Sequence, residues 1–287
     1  MTRNRSVLIG LFALSAGCGV EEPEPAATCD EDSRSLVREL EAPDHYVISQ
    51  LTFARRANGE VKGFDLDGDD SAVGGSAGCG HADLPSPEGT PGIDNNFSAL
   101  VPVLESTEAV AAESLVAQSI SAGELMITIS LVGVDDWMDD TCVDFTLGRA
   151  EGVPLVAPDG SILDLQTLEP HATIASVNAP AVASDMRIAV DGLTFNLPLD
   201  ILNAELDFQV TRGRFQVQRR WDGKLTGLMG GVIPISQITE ILNRTDVNLQ
   251  EFVPLVESVA DIEDDNGDCS LLSLAFEFEA TPVYLTE

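Results

Sequence analysis

Asp65-Leu66-Asp67-Gly68-Asp69-Asp70-Ser71 is the segment whose residue types and spacing most directly suggest chemistry. Asp65, Asp67 and Asp69 alternate, and Gly68 permits a tight turn among them, so their oxygens can converge on one hard cation. Calcium requires six to eight oxygen ligands, more than this segment alone supplies. Gly92-Ile93-Asp94-Asn95-Asn96 lies at the far end of the same Gly-, Asp-, Ser- and Pro-rich stretch, residues 63–96. If that stretch closes on itself, Asp94 and Asn95 add the missing oxygens. The expected direct ligands are therefore Asp65, Asp67, Asp69 and Asp94, with Asn95 beside them, and the expected cofactor is calcium. Without a metal, the same residues read as a solvated acidic turn.

The Asp65–Ser71 spacing resembles the first half of EF-hand-like and dockerin-like calcium loops. It departs from them at Gly68, two places early, and at Ser76, which stands where an acidic twelfth ligand belongs. Other chemistries lack parts. Asp65-Leu66-Asp67-Gly68 resembles the opening motif of haloacid-dehalogenase-like phosphatases, which use a buried parallel strand, a downstream Lys and a distal acidic pair. Here Lys62 and Lys224 are the only lysines, and Val61-Lys62-Gly63-Phe64 is a poor buried strand. Gly74-Gly75-Ser76-Ala77-Gly78 fits G-x-S-x-G, but that elbow needs a strand before it and a helix after it. Cys79, His81 and Asp83 alternate like zinc ligands. Yet there are three histidines in all and neither a CxxC nor an HxxxH pattern, so Cys79 reads as a disulfide residue. No phosphate-cradling glycine motif appears. No complete catalytic set is present.

Arg212, Arg214, Arg219, Arg220 and Lys224 gather positive charge around one expected hairpin, which reads as a balance to the protein's own acids or, alternatively, as a hold for an anionic ligand. Asp264-Asp265-Asn266-Gly267-Asp268 beside Cys269 reads as a second cation turn or as a solvated one. The formal charge of -33 disfavours nucleic-acid phosphates and anionic lipid surfaces as partners. Hydrophobic residues nonetheless make up 44% of the chain, enough for a packed core rather than a disordered acidic tail.

The N-terminus sets an address. Arg3 and Arg5 precede an apolar run from Val7 to Ala16, too short to span a bilayer. Leu14-Ser15-Ala16-Gly17-Cys18 resembles the lipobox of bacterial lipoproteins, with the leucine one place early. That resemblance implies cleavage before Cys18, acylation of its sulfur, and a protein held in the bacterial cell envelope, outside the cytoplasm, by its N-terminal lipid. Loss of residues 1–17 would take the formal charge from -33 to -35. Residues 18–32, with Glu21-Glu22-Pro23-Glu24-Pro25, read as an acidic, Pro-rich tether. Cys29, Cys79, Cys142 and Cys269 remain as an even set in an oxidising compartment, hence two disulfides. Order along the chain favours Cys29–Cys79 with Cys142–Cys269, the other connectivities staying open.

Residues 33–287 are expected to form a single β-rich domain with the long acidic loop 63–96. Strands are expected at Tyr46–Ala54, Leu125–Val134 and Cys142–Leu147, and again where alternation resumes after Met186. Arg212-Gly213 reads as a hairpin signal and Trp221-Asp222-Gly223-Lys224 as a second turn. Helices are expected within Phe97–Ser121, at Pro234–Leu242 and within Asn248–Ile262. Leu272, Leu274, Phe276 and Phe278 belong to a closing strand. The fold class is mainly β (α+β): an antiparallel, sandwich-like domain with a few helices.

Phe64-Asp65-Leu66-Asp67-Gly68 and Gly92-Ile93-Asp94-Asn95, with Cys79-Gly80-His81-Ala82-Asp83 between them, resemble uncharacterised, myxobacterial-type predicted lipoproteins. The resemblance implies that the two acidic segments share one site, and it brings no activity. The leading expectation is a calcium-stabilised binding or scaffolding lipoprotein. A metal-dependent hydrolase and a lipid- or hydrophobe-carrying module are the alternatives.

Overall fold

The computed structural model describes residues 44–286, apart from 73, 75–77, 106–111, 202–203 and 245–251. The segments expected as leader (1–17) and tether (18–32), with Cys18 and Cys29, lie outside the described residues, as does the Ser76 of the G-x-S-x-G match. The strands are β1 (His45–Phe53), β2 (Arg56–Ala57), β3 (Glu60–Val61), β4 (Ile127–Val132), β5 (Asp139–Glu151), β6 (Thr167–Pro170), β7 (Val177–Ser184), β8 (Arg187–Ile201), β9 (Ala204–Arg219), β10 (Leu225–Pro234), β11 (Ile262–Glu263) and β12 (Cys269–Leu285). The helices are α1 (Val101–Glu105), α2 (Ala112–Ala122), α3 (Ile235–Arg244) and α4 (Val253–Glu257).

Eight strands pair antiparallel in the cyclic order β1-β4-β5-β7-β8-β9-β10-β12. The ring closes where β12 pairs with β10 along one edge and with β1 along the other. The sheet is thus an up-and-down barrel, not the expected sandwich. Inward-outward alternation serves both architectures equally, and only the long-range pairing of β1 with β12 separates them. The interior is filled rather than hollow. Phe145 packs tilted against Phe215 at 5.2 Å between ring centres, and Phe195 and Phe278 join Phe215 at 5.6 and 6.3 Å.

β1 carries a bulge between Ile48 and Gln50. Ile48 therefore opposes Ala280 while Leu51 opposes Phe278 and Phe53 opposes Phe276, which puts all three on one face. Strict alternation instead assigns Ile48 to the opposite face from Leu51 and Phe53, and the extra residue is what reverses it. Arg212-Gly213 is likewise a bulge inside β9, with Arg212 at φ 48°, and not a hairpin turn. A Cβ on Gly213 would stand 2.8 Å from the Phe195 ring, so the glycine serves close packing. β8 and β9 run on past this bulge as a long two-stranded arm, Ile201 pairing with Ala204.

Between β1 and β4 the chain leaves the barrel to form the β2–β3 hairpin, the acidic loop, α1 and α2. Arg55 ties α1 and α2 to the end of β1 through Glu105 at 2.7 Å and Glu113 at 2.9 Å. Cys79 is bonded to Cys269, at the start of β12. Both pairings favoured by chain order are therefore replaced, because the loop folds back onto the β11–β12 corner and brings Cys79 there. Cys142 is disulfide-bonded as well.

Candidate metal centre

The acidic loop lies on the outer wall of the barrel through Phe64 and Leu66. Leu66 packs with Val232 of β10 and Ile262 of β11, and Phe64 and Leu271 complete this satellite cluster. The Phe64 ring lies against Gly230. Burying residues 64 and 66 in an extended segment turns residues 65 and 67 to the other side, as period-two geometry requires. The returning segment meets them there. Asp94 bridges to Phe64, its amide donating to the Phe64 carbonyl at 2.9 Å, and Ile93 bridges to Leu84.

One oxygen each from Asp65, Asp67 and Asp94 falls within 4.8 Å of the others. One oxygen of each is engaged by a backbone amide. Asp65 Oδ1 accepts from Gly68 N at 2.6 Å, Asp67 Oδ1 from Asp69 N at 2.9 Å, and Asp94 Oδ2 from Leu66 N at 2.6 Å. Asp94 is 1% exposed, and its Oδ1 has no hydrogen-bond partner. Burial raises the Asp94 carboxyl to about 8, the Leu66 amide opposes the shift, and the Asp67, Asp83 and Asp261 charges add to it. Asp67 is raised in the same way, first by burial. A buried carboxylate with one bare oxygen, facing two more carboxylates, is costly alone and is stabilised by a cation.

The segment Asp94–Ser98 is anchored deeply. Asn95 Nδ2 donates to the carbonyls of Ala54 at 3.2 Å and Lys62 at 2.8 Å. Asn96 N donates to Ser273 Oγ and Asn96 Nδ2 to the Val259 carbonyl, both at 2.8 Å. Arg56 reaches Asn96 Oδ1 at 2.6 Å and Ser98 Oγ at 2.7 Å. Asp261 accepts from the backbone amide and the hydroxyl of Ser273 on β12. Burial raises Asp261 to about 6, against the pull of those Ser273 bonds. The acidic trio therefore rests on a polar network continuous with the barrel wall.

Of the residues read as ligands, Asp65, Asp67 and Asp94 are brought together. The Asp69 side chain is exposed and outside the trio, though its main-chain carbonyl abuts Gly92, 2.7 Å from where a Cβ would stand. Asn95 is buried next to Asp94, with its amide nitrogen committed to the backbone. Asp83, which accepts from Ser71 N at 2.6 Å and adds to the field on Asp67 and Asp94, was not read as part of the site. Its alternation with Cys79 and His81 was the available signal. Asp261 and Ser273 carried none, being distant in sequence. Cys79 is in a disulfide and so offers no thiolate to zinc.

Three carboxylate oxygens, with solvent or carbonyl oxygens completing six to eight, suit a hard divalent cation such as calcium. Redox and thiolate-dependent metals find no soft ligand in the trio. Compared with family models, with curated proteins and with solved structures, the chain matches none.

Proposed function

We propose that the protein is a lipoprotein of the bacterial cell envelope, anchored through acylated Cys18, that binds or scaffolds a partner and is stabilised by calcium. The observation that carries the calcium reading is buried Asp94, whose Oδ1 has no hydrogen-bond partner, in one carboxylate cluster with Asp65 and Asp67. A cation there offsets the repulsion of three converging carboxylates and fixes the loop on the barrel, so the metal's role is structural. The lipobox at Leu14–Cys18 supports the envelope reading. Hydrophobe carriage is the second reading, favoured by a cavity of about 280 Å³ lined by Ile127, Leu147, Val177, Phe195, Leu197 and Met229.

The test is calorimetric titration of the chelator-stripped protein with calcium, alongside melting curves. Saturable binding and a raised Tm, both lost in Asp65→Ala, support the proposal. No heat and no shift reduce the loop to solvated charge. Acylation is read separately, from the mass of the N-terminal peptide in the native chain and in Cys18→Ala.

A further inference from the structure

Because the barrel runs up and down, the β4–β5, β7–β8 and β9–β10 connections share one end with the start of β1 and the last residues of β12. His45 opposes Val283 there, so the chain enters β1 at this end. Contacts join the connections to one another. The amides of Asp185 and Met186 donate to the carbonyls of Met138 and Trp137 at 3.1 and 2.9 Å. Lys224 pairs with Asp164 at 3.3 Å, and Leu165 N donates to the Pro282 carbonyl at 2.7 Å. The acidic loop leaves β1 at the opposite end.

The end where the chain enters exposes large apolar side chains. Trp221 is 95% exposed, Leu155 64%, Leu165 52% and Tyr284 49%. They are held in place. Gln166 Oε1 accepts from Leu155 N at 2.8 Å, and its Nε2 donates to the carbonyls of Leu155 at 3.2 Å and Leu163 at 2.8 Å. Tyr284 N donates to the Gln166 carbonyl at 2.9 Å. Leu165 holds φ 60°, in the left-handed region that crowds a Cβ. Glycine or asparagine sits there at less cost, yet a half-exposed leucine occupies the position. A residue unfavourable in both backbone and hydration points to a surface that covers it.

We infer that this end of the barrel docks on a bilayer, laying Trp221, Leu155, Leu165 and Tyr284 into a zwitterionic headgroup layer. The inference rests on the envelope reading above, because the segment expected to carry the lipid joins the barrel at this same end. Cys18 lies 26 residues before Asp44, ~90 Å at full extension, so the anchor permits this contact without imposing it. Tryptophan and tyrosine favour the membrane interface, where an apolar ring and a polar tip are both accommodated. Contact is by the end and not by the wall. Gln216, Gln218, Glu277 and Glu279 alternate with buried Phe215, Val217 and Phe278, where a spanning barrel carries an outward apolar band.

Charge selects the lipid. Asp164 is paired with Lys224, and Asp222 with Arg220 at 3.0 Å, which balances the acids nearest Trp221. Asp159 stands at the turn between Leu155 and Leu163, and Asp135, Asp136 and Asp185 flank Met138 and Met186 across the same end. With acids at this rim and -33 overall, the end is repelled by anionic headgroups.

The experiment reads Trp221 directly. Trp137 is the other tryptophan of the chain, so Trp137→Phe leaves Trp221 as the reporter. The full chain is added to phosphatidylcholine vesicles whose acyl chains carry bromine near the headgroup or near the chain end. Expected is a blue-shifted emission, quenched more by shallow bromine than by deep, and quenched less when phosphatidylglycerol is added at low salt. Leu155→Asn and Leu165→Asn should each lower the docked-to-free ratio roughly tenfold. Leu165→Asn should keep or raise the Tm, since asparagine tolerates a left-handed backbone, so lost docking there is not lost folding. Emission that ignores both bromines overturns the inference. A dimer in solution that Leu155→Asn dissolves, without quenching, overturns it too and gives this end to a second copy. The mass of the N-terminal peptide separates the two readings. An acylated chain without quenching defeats docking alone, and quenching of a chain without acyl groups defeats the anchor alone.

Discussion

At the scale of single residues, Asp94 concentrates the cost of the site. Its Oδ2 is satisfied by the Leu66 amide, while Oδ1 is buried without a partner beside two carboxylates. Asp94→Asn keeps the acceptor for Leu66 and turns an amide donor toward Asp65 and Asp67. The metal-free variant should therefore be more stable than the parent by about 1–3 kcal/mol, a Tm increase of several degrees, yet show no further rise with calcium. A lower metal-free Tm than the parent would contradict this account of the orphaned oxygen. Asp261 makes a separable prediction. Its folded carboxyl, pushed by burial from 3.8 to about 6, binds its proton more tightly than the unfolded chain does. The associated stability is fully present below pH 3.8 and is lost as pH rises through about 6. Melting in chelator from pH 4 to 7 should fall more steeply in the parent than in Asp261→Asn, the difference being on the order of 2–3 kcal/mol. Parallel curves would remove Asp261 from the pH response. The trio was legible in the sequence because alternation and a closing loop suffice to bring Asp65, Asp67 and Asp94 together. Asp261 was not, because its partner Ser273 sits on another strand and only the fold makes them neighbours.

At the scale of elements, the loop is held by two independent fasteners, an apolar one and a covalent one. Phe64→Ala removes the ring that lies on Gly230 and packs against the cluster of Leu66, Val232 and Ile262. It should lower stability by about 3 kcal/mol and weaken calcium binding at least tenfold, while far-ultraviolet circular dichroism stays that of the barrel. Retained affinity would mean that the trio is positioned without the cluster. The Cys79–Cys269 bond spans 190 residues, and the double change to alanine should cost roughly 2–5 kcal/mol, read by denaturant melts. Peptide mapping without reduction checks the pairing itself, and a Cys79-to-Cys29 fragment would refute it. Elements with strong alternation, such as β5 and β12, were legible from side-chain pattern alone, and β1 was legible as a strand but not, across its bulge, in the face that Ile48 takes. β7 was not, because Val177-Asn178-Ala179-Pro180-Ala181 is small and broken by proline, and its place is set by β5. Arg212-Gly213 misled because a glycine beside a left-handed residue marks either a turn or a bulge. Which of the two depends on Phe195, a residue of the partner strand.

At the scale of the whole molecule, closure and charge oppose one another. The pairing of β1 with β12 joins residues 45–53 to 276–283 and leaves no open edge in the main sheet at that junction. Period-two patterning cannot reveal such a contact, since it fixes which face is buried and not which strands meet. A shell carrying -33 formal charges meanwhile repels itself, and that repulsion falls as salt shortens the Debye length from ~30 Å at 0.01 M to ~8 Å at 0.15 M. Two responses to added ions should consequently separate. Sodium chloride should raise the Tm of the parent, Asp65→Ala and Asp94→Asn alike, because it screens the whole surface. Calcium at constant ionic strength should raise only the parent, because among the described residues it is in this trio that three carboxylates converge. Magnesium, which demands octahedral geometry and sheds water reluctantly, should act more weakly than calcium at equal concentration. If calcium raised all three proteins equally, its effect would belong to the surface as a whole, and the barrel would be a polyanion that any divalent cation steadies.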